Sequence, residues 1–232
     1  MRKLIATPIR NFKRAALTLK RFDSVLCVSA WLRQIAAHLT PVAVRVVPGV
    51  DHELFAERPL PNGEKLVVGW CAQIPEPDRN NTKGYREVLL PLMERMKDRV
   101  EWRINSRSAS DALTQAEMVE WYAGIDLILS TSCSEGFQMP LLEAASCGRP
   151  VVGTYVGGIR ELTIPGETGY IVSSWRNLDE TRVTIDELEF VLDRYATNRQ
   201  ELLDHGRAAR ARVEQEFTWA RRSPEWLGII GG

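Results

Sequence analysis

Apolar and polar positions along the chain follow two alternating rhythms. Short, nearly unbroken runs of Val, Ile and Leu predict strands near residues 24–28, 44–47, 65–70, 100–104, 125–130 and 150–154. Between them the apolar positions recur at three-and-four spacing. The clearest such segment covers about 84–97, where Tyr85, Val88, Leu89, Leu92, Met93 and Met96 mark one buried helical face. A second helix is expected near 114–123, and a short third from about Pro140 to Cys147. Pro140 suits a first helical position because its missing N–H has no intrahelical partner there, and Gly148 can take the left-handed conformation that closes a helix. Beyond residue 180 the pattern is helical, with Ile185, Leu188, Val191, Leu192 and Tyr195 on one face, then Leu202, Leu203, Val213 and Phe217 on the next. Strands alternating with helices predict an α/β fold, a Rossmann-like parallel sheet with helices on both faces.

The pattern breaks at Glu57-Arg-Pro-Leu-Pro-Asn-Gly63, where two prolines and a glycine interrupt it. The expected organisation is a first piece over 1–60, a long α/β region over 61–217 and a C-terminal helical tail over 218–232. Charge adds little: thirty basic residues balance thirty acidic ones, so no global field draws the chain to nucleic acid. Its distribution adds more, because Arg2, Lys3, Arg10, Lys13, Arg14, Lys20 and Arg21 occur without an acid among them. A basic helix there would suit either a solvated surface or peripheral contact with an anionic membrane. Cys27, Cys71, Cys133 and Cys147 are widely spaced without a Cys-x2-Cys pair, which fits a reducing, cytoplasmic setting. No run approaches the roughly 18 apolar residues of a membrane span.

Candidate chemistry concentrates in Ser134-Glu-Gly-Phe-Gln-Met-Pro-Leu-Leu-Glu143, followed by Gly148-Arg-Pro-Val-Val152 and Gly157-Gly158. Here a strand ends, a polar loop turns and a helix begins. In an open parallel sheet ligands sit beyond the carboxyl ends of the strands, and a helix start presents free N–H groups to an anion. Glu135 on the loop and Glu143 on the first turn of the helix are acceptor-only groups when ionised, suited to hydroxyl pairs. Gly136, Gly157 and Gly158 would let backbone approach a ligand closely.

The stretch resembles the Glu-x7-Glu signature of the retaining GT-B glycosyltransferases of family 4, including its Glu-Gly-Phe start, small-residue helix, Gly-Arg-Pro-Val-Val and paired glycines. Val46-Val-Pro-Gly-Val-Asp51 with Phe55 is similar to the family's domain-crossover segment, and Lys83-Gly84 to the start of its first donor-domain helix. The resemblance implies a GT-B C-terminal domain plus a remnant of a second α/β domain, the acceptor half. It implies transfer of a sugar, with retention and without a metal, from a nucleotide-diphosphate sugar to a glycan, lipid or protein acceptor. By matching position Glu135 would contact the donor sugar and Lys83 the diphosphate, as the catalytic pair. Glu143 would hold the ribose, while Phe137, Gln138, Met139, Pro140 and Leu141 would present amides and side chains to the donor. No Asp-x-Asp and no His/Cys cluster with ligand spacing is present, so no cofactor beyond the donor is expected.

The chain departs from the family's pattern in two places. Trp70 stands where an Arg is common, which leaves Arg79 as the nearest candidate for a second phosphate cation, and Asn105 to Ala112 is short. The acceptor half is mostly missing from the sequence. An incomplete reading frame, a natural reduced form and a non-catalytic nucleotide-sugar-binding subunit with a partner chain therefore remain open, as does an epimerase or phosphorylase on the same fold.

Overall fold

The computed structural model describes residues 3–6, 18–19, 21–74, 82–106 and 112–231. Two parallel sheets form. The smaller has strands β1 (Lys3–Ala6), β2 (Ser24–Cys27) and β3 (Ala43–Arg45) in the order β1-β2-β3, covered by helix α1 (Ala30–Ala37). The larger has β4 (Leu66–Cys71), β5 (Val100–Asn105), β6 (Leu127–Ser130), β7 (Val151–Thr154) and β8 (Gly169–Val172), in the order β5-β4-β6-β7-β8. The expected parallel α/β architecture is thus present, with a second, smaller α/β unit beside it.

The inner strands β4, β6 and β7 are buried on both faces, which is why they read as continuous apolar runs. Along β4, Leu66, Val68 and Trp70 point to one side and Val67 to the other, following the two-residue period of a strand. The first side packs on a turn over Tyr85–Leu89, on α2 (Leu90–Met96) and on α6 (Leu178–Thr197). The second packs on α3 (Gln115–Ala123), α4 (Met139–Ser146) and α7 (Arg199–Glu216). Each fully buried Val or Leu contributes about 1.5–3 kcal/mol. The short α5 (Ile159–Leu162) precedes β8, and α8 (Trp219–Ile230) packs on the segment that follows β3, where Trp226 Nε1 donates to Val47 O at 2.9 Å.

Several expectations need correction. The helix over 84–97 is two pieces: a wide π-type turn over Tyr85–Leu89, then α2. Pro91 has no N–H for the carbonyl of Glu87, and the wide turn instead bonds Leu90 N to Tyr85 O. The basic helix is replaced over Lys3–Ala6 by a strand paired in register with Ser24–Cys27. Arg2, Arg10, Lys13, Arg14 and Lys20 lie outside the described residues. The strand Gly169–Val172 was not expected, nor was α5. Among the described residues no helix is long and apolar enough to cross a membrane.

Candidate donor-binding site

From β4 the chain crosses to β5 on one side and then to β6 on the other, so the strand order reverses at β4 and β6. Their carboxyl ends open onto a cavity of about 520 Å³, the position where open α/β sheets bind ligands. Trp70 and Cys71 from β4, Asn105 from β5, Leu129 and Ser130 from β6, and Met118 from α3 form its walls.

One wall carries a charged pair. Lys83 Nζ lies 2.5 Å from Glu135 Oε1, which also accepts from Ser132 Oγ at 2.7 Å. Gly84 makes this possible. Its φ of 70° turns the chain sharply after Lys83, and its Cα faces the Thr131 carbonyl so closely that any Cβ would collide with that oxygen. Thr131 is the hub: its hydroxyl donates to Lys83 O at 2.7 Å and accepts from Trp70 Nε1 at 3.0 Å, while its carbonyl accepts from Trp175 Nε1 at 2.8 Å. The lysine is therefore held by the floor of the sheet rather than by its own loop.

The opposite wall is α4. Its start has no side-chain cap; Pro140 carries no N–H and Leu141 N donates to Gln138 O at 3.1 Å, which leaves the Met139 amide of the first turn to meet an anion. Met139 is the first helical residue and Pro140 the second, and Gly148, at φ 77°, follows the helix as expected. Glu143 is the fifth residue, so it stands in the second turn, not the first as the sequence suggested. There the Tyr122 hydroxyl donates to Glu143 Oε2 at 2.8 Å. Burial raises the Glu143 carboxyl above its ordinary value, and the Tyr122 bond partly opposes this. Burial also pushes the Cys71 thiol up to about 12, so it faces the cavity as a neutral group.

The structure brings Lys83, Glu135, Phe137, Gln138, Met139, Pro140, Leu141 and Glu143 to the cavity. Gly136, Gly157 and Gly158 are not among its lining residues. A Cβ on Gly136 would lie 3.3 Å from Leu32 and Val28 of the smaller unit, and one on Gly157 would meet Glu135 Cβ at 2.7 Å. Gly158 lies flat against the Phe137 ring. These glycines let backbone segments meet behind the Glu135 loop. Arg79 lies outside the described residues. Sequence reasoning missed Ser132, Thr131 and Tyr122. The polar run Ser130-Thr-Ser132 closing an apolar strand was a signal for the first two, but Tyr122 offered none.

The proteins similar to this chain include named glycosyltransferases. Residues 88–188 match the family described as Glycosyl transferases group 1. The chain is 36% identical over 187 residues to the D-inositol 3-phosphate glycosyltransferase of Pseudarthrobacter chlorophenolicus, covering 76% of this chain and 41% of that protein. It is 27% identical over 208 residues to the MMP alpha-(1->4)-mannosyltransferase of Mycolicibacterium hassiacum, covering 82% of this chain and 49% of that protein. It superposes with a TM-score of 0.71 and 17% identity on Anabaena HepE in complex with UDP-glucose, over 95% of this chain and 67% of that one. The fold is that of the GT-B glycosyltransferases. The chain spans less than half the length of both curated relatives.

Proposed function

We propose that this chain provides the donor site of a retaining, family 4 glycosyltransferase that takes its sugar from a nucleotide-diphosphate sugar. The observation that carries the reading is the pairing, across one cavity at the strand-order reversal, of Lys83–Glu135 with an uncapped helix start and a half-buried Glu143.

Chemically, a departing nucleoside diphosphate accumulates negative charge as the glycosidic bond breaks. The Lys83 ammonium and the Met139 amide at the start of α4 meet that charge in fixed positions, the arrangement that lowers a barrier most when it needs no reorganisation. In this reading no resident metal is needed. Glu135 accepts from hydroxyls of the donor sugar while its bond to Lys83 orients the ammonium, and Glu143 accepts from the ribose diol. Glu135 is not assigned as a covalent nucleophile.

Turnover tests the reading directly. With UDP-, GDP- and ADP-glucose as probes, the purified chain is expected to release nucleoside diphosphate slowly by hydrolysis, and Lys83→Met to lower that rate by about a hundredfold. Equal rates for the two proteins would refute the role of Lys83. A second reading is a donor-binding subunit that works with another polypeptide. It draws on the three-stranded sheet, a small unit to bind an acceptor, and it predicts binding without turnover.

A further inference from the structure

Tyr122 is wholly buried on α3, its ring meeting Phe55 edge-on at 6.0 Å between centroids and Trp121 at 5.2 Å. Such packing leaves the ring little freedom. Its backbone is fixed too, because the Tyr122 carbonyl accepts from Arg149 Nε at 2.9 Å. The hydroxyl therefore points along a direction set by the core, and what it meets is Glu143 Oε2 at 2.8 Å. Among the described residues Glu143 Oε1 receives no hydrogen bond, and Glu143 lines the cavity.

We propose that Tyr122 is a positioning residue of the donor site: its hydroxyl anchors one oxygen of Glu143 and presents the other to the ribose diol. This rests on the donor-site reading and adds to it a residue that never touches the donor. The chemistry follows from the inventory of groups. A tyrosine O–H donates to a carboxylate and stabilises its ionised form, the only form in which both oxygens are pure acceptors for two hydroxyls. The titratable groups facing Glu143 are Tyr122 on α3, Cys71 at the end of β4 and Cys147 directly after α4. Burial pushes both thiols up to about 12 and holds the Tyr122 hydroxyl well above its usual value. All three are neutral near pH 7. Against the burial that favours protonation of Glu143, the Tyr122 hydrogen bond is the opposing influence.

The direction of the pH effect follows. A carboxylate with a raised pKa loses its charge as pH falls through that value, so donor affinity should decline on the acid side. Without the hydroxyl, the decline should begin at higher pH.

The experiment measures dissociation constants of UDP-, GDP- and ADP-glucose from pH 5 to pH 8, then repeats the tightest with its 2′-deoxyribose counterpart. Proteins are wild type, Tyr122→Phe and Glu143→Gln, each checked for folding by circular dichroism. Tyr122→Phe is expected to bind the ribose probe about tenfold more weakly at pH 7, as loss of one hydrogen bond to a charged group implies. It should also lose part of the discrimination against the deoxy probe and move the acid limb to higher pH. Glu143→Gln should abolish the limb. An unchanged ribose-to-deoxyribose ratio and pH limb in folded Tyr122→Phe would overturn the proposal, since a packing defect alone weakens both probes equally. An acid limb that persists in Glu143→Gln would overturn it independently. Failure of the wild type to bind any of the three probes would instead overturn the donor-site reading on which it rests.

Discussion

Arg149 offers a severe test of how the site is supported. It is fully buried, yet no carboxylate lies within ion-pair distance among the described residues. Its guanidinium donates to Tyr122 O, Arg58 O and Pro59 O, each at 2.9 Å. It thereby ties the segment before β4 to the end of α3, and burial lowers its pKa from the usual guanidinium value. Replacing it with Met keeps most of the aliphatic volume and removes all three donors. The three bonds from a charged donor are worth about 1.5 kcal/mol each, the low end of their range, because Tyr122 O keeps the Ile125 N–H and Arg58 and Pro59 are exposed, or about 4–5 kcal/mol for the set. Removing a desolvated charge returns part of this, so the net loss should be about 3–4 kcal/mol. For a chain of this size that corresponds to a fall in Tm of about 10 °C. Urea unfolding followed by tryptophan fluorescence and by circular dichroism gives the free energy, provided the two probes coincide. Arg149→Lys should be nearly as destabilised, because one ammonium cannot span three divergent carbonyls. A loss below about 1 kcal/mol for Arg149→Met would refute the reasoning.

Other consequences are open to measurement. Because the folded pKa of Glu143 is raised, its stability contribution is present at acid pH and is lost as pH rises through the folded value. Glu143→Gln should therefore raise Tm by a few degrees at pH 7.5 and less at pH 5 while weakening donor binding; a lower Tm at pH 7.5 would contradict this. Gly84→Ala meets both a left-handed backbone and the Thr131 carbonyl, so it should cost more than 2 kcal/mol and displace Lys83. Gly166→Ala, at φ 78° but with open space around it, should cost only about 1–2 kcal/mol. Equal losses for the two alanines in chemical denaturation would remove the argument for the close contact.

Much of the fold and the loop at its centre could be read from the sequence for physical reasons. β4, β6 and β7 are buried on both faces, so their apolar runs stand out. The loop before α4 is marked by Gly136, Pro140 and Gly148, whose backbone preferences are local. What escaped depends on distant partners. β8 is four residues long and gains its identity from pairing with β7, not from its own pattern. Lys3–Ala6 carries a basic, helix-compatible sequence but is a strand because Ser24–Cys27 pairs with it. The π-type turn before α2 follows from where Pro91 falls in the hydrogen-bond ladder. Within the site, Glu135 was visible in its motif. The Tyr122 hydroxyl that meets Glu143 comes from 21 positions upstream on another helix, and no periodicity encodes that encounter. The paired glycines were recognisable as a motif, but their contact with the Glu135 loop emerges only once α5 and that loop are packed together.

The central claim is that the cavity between Lys83 and Glu143 holds a nucleotide-diphosphate sugar. Isothermal titration calorimetry of the wild type and of Glu143→Ala against UDP-, GDP- and ADP-glucose tests it most directly. The account predicts saturable binding of at least one of these donors by the wild type and a loss of at least about tenfold in affinity in Glu143→Ala. A folded wild-type protein that binds none of the three, or binds equally well without Glu143, would contradict it.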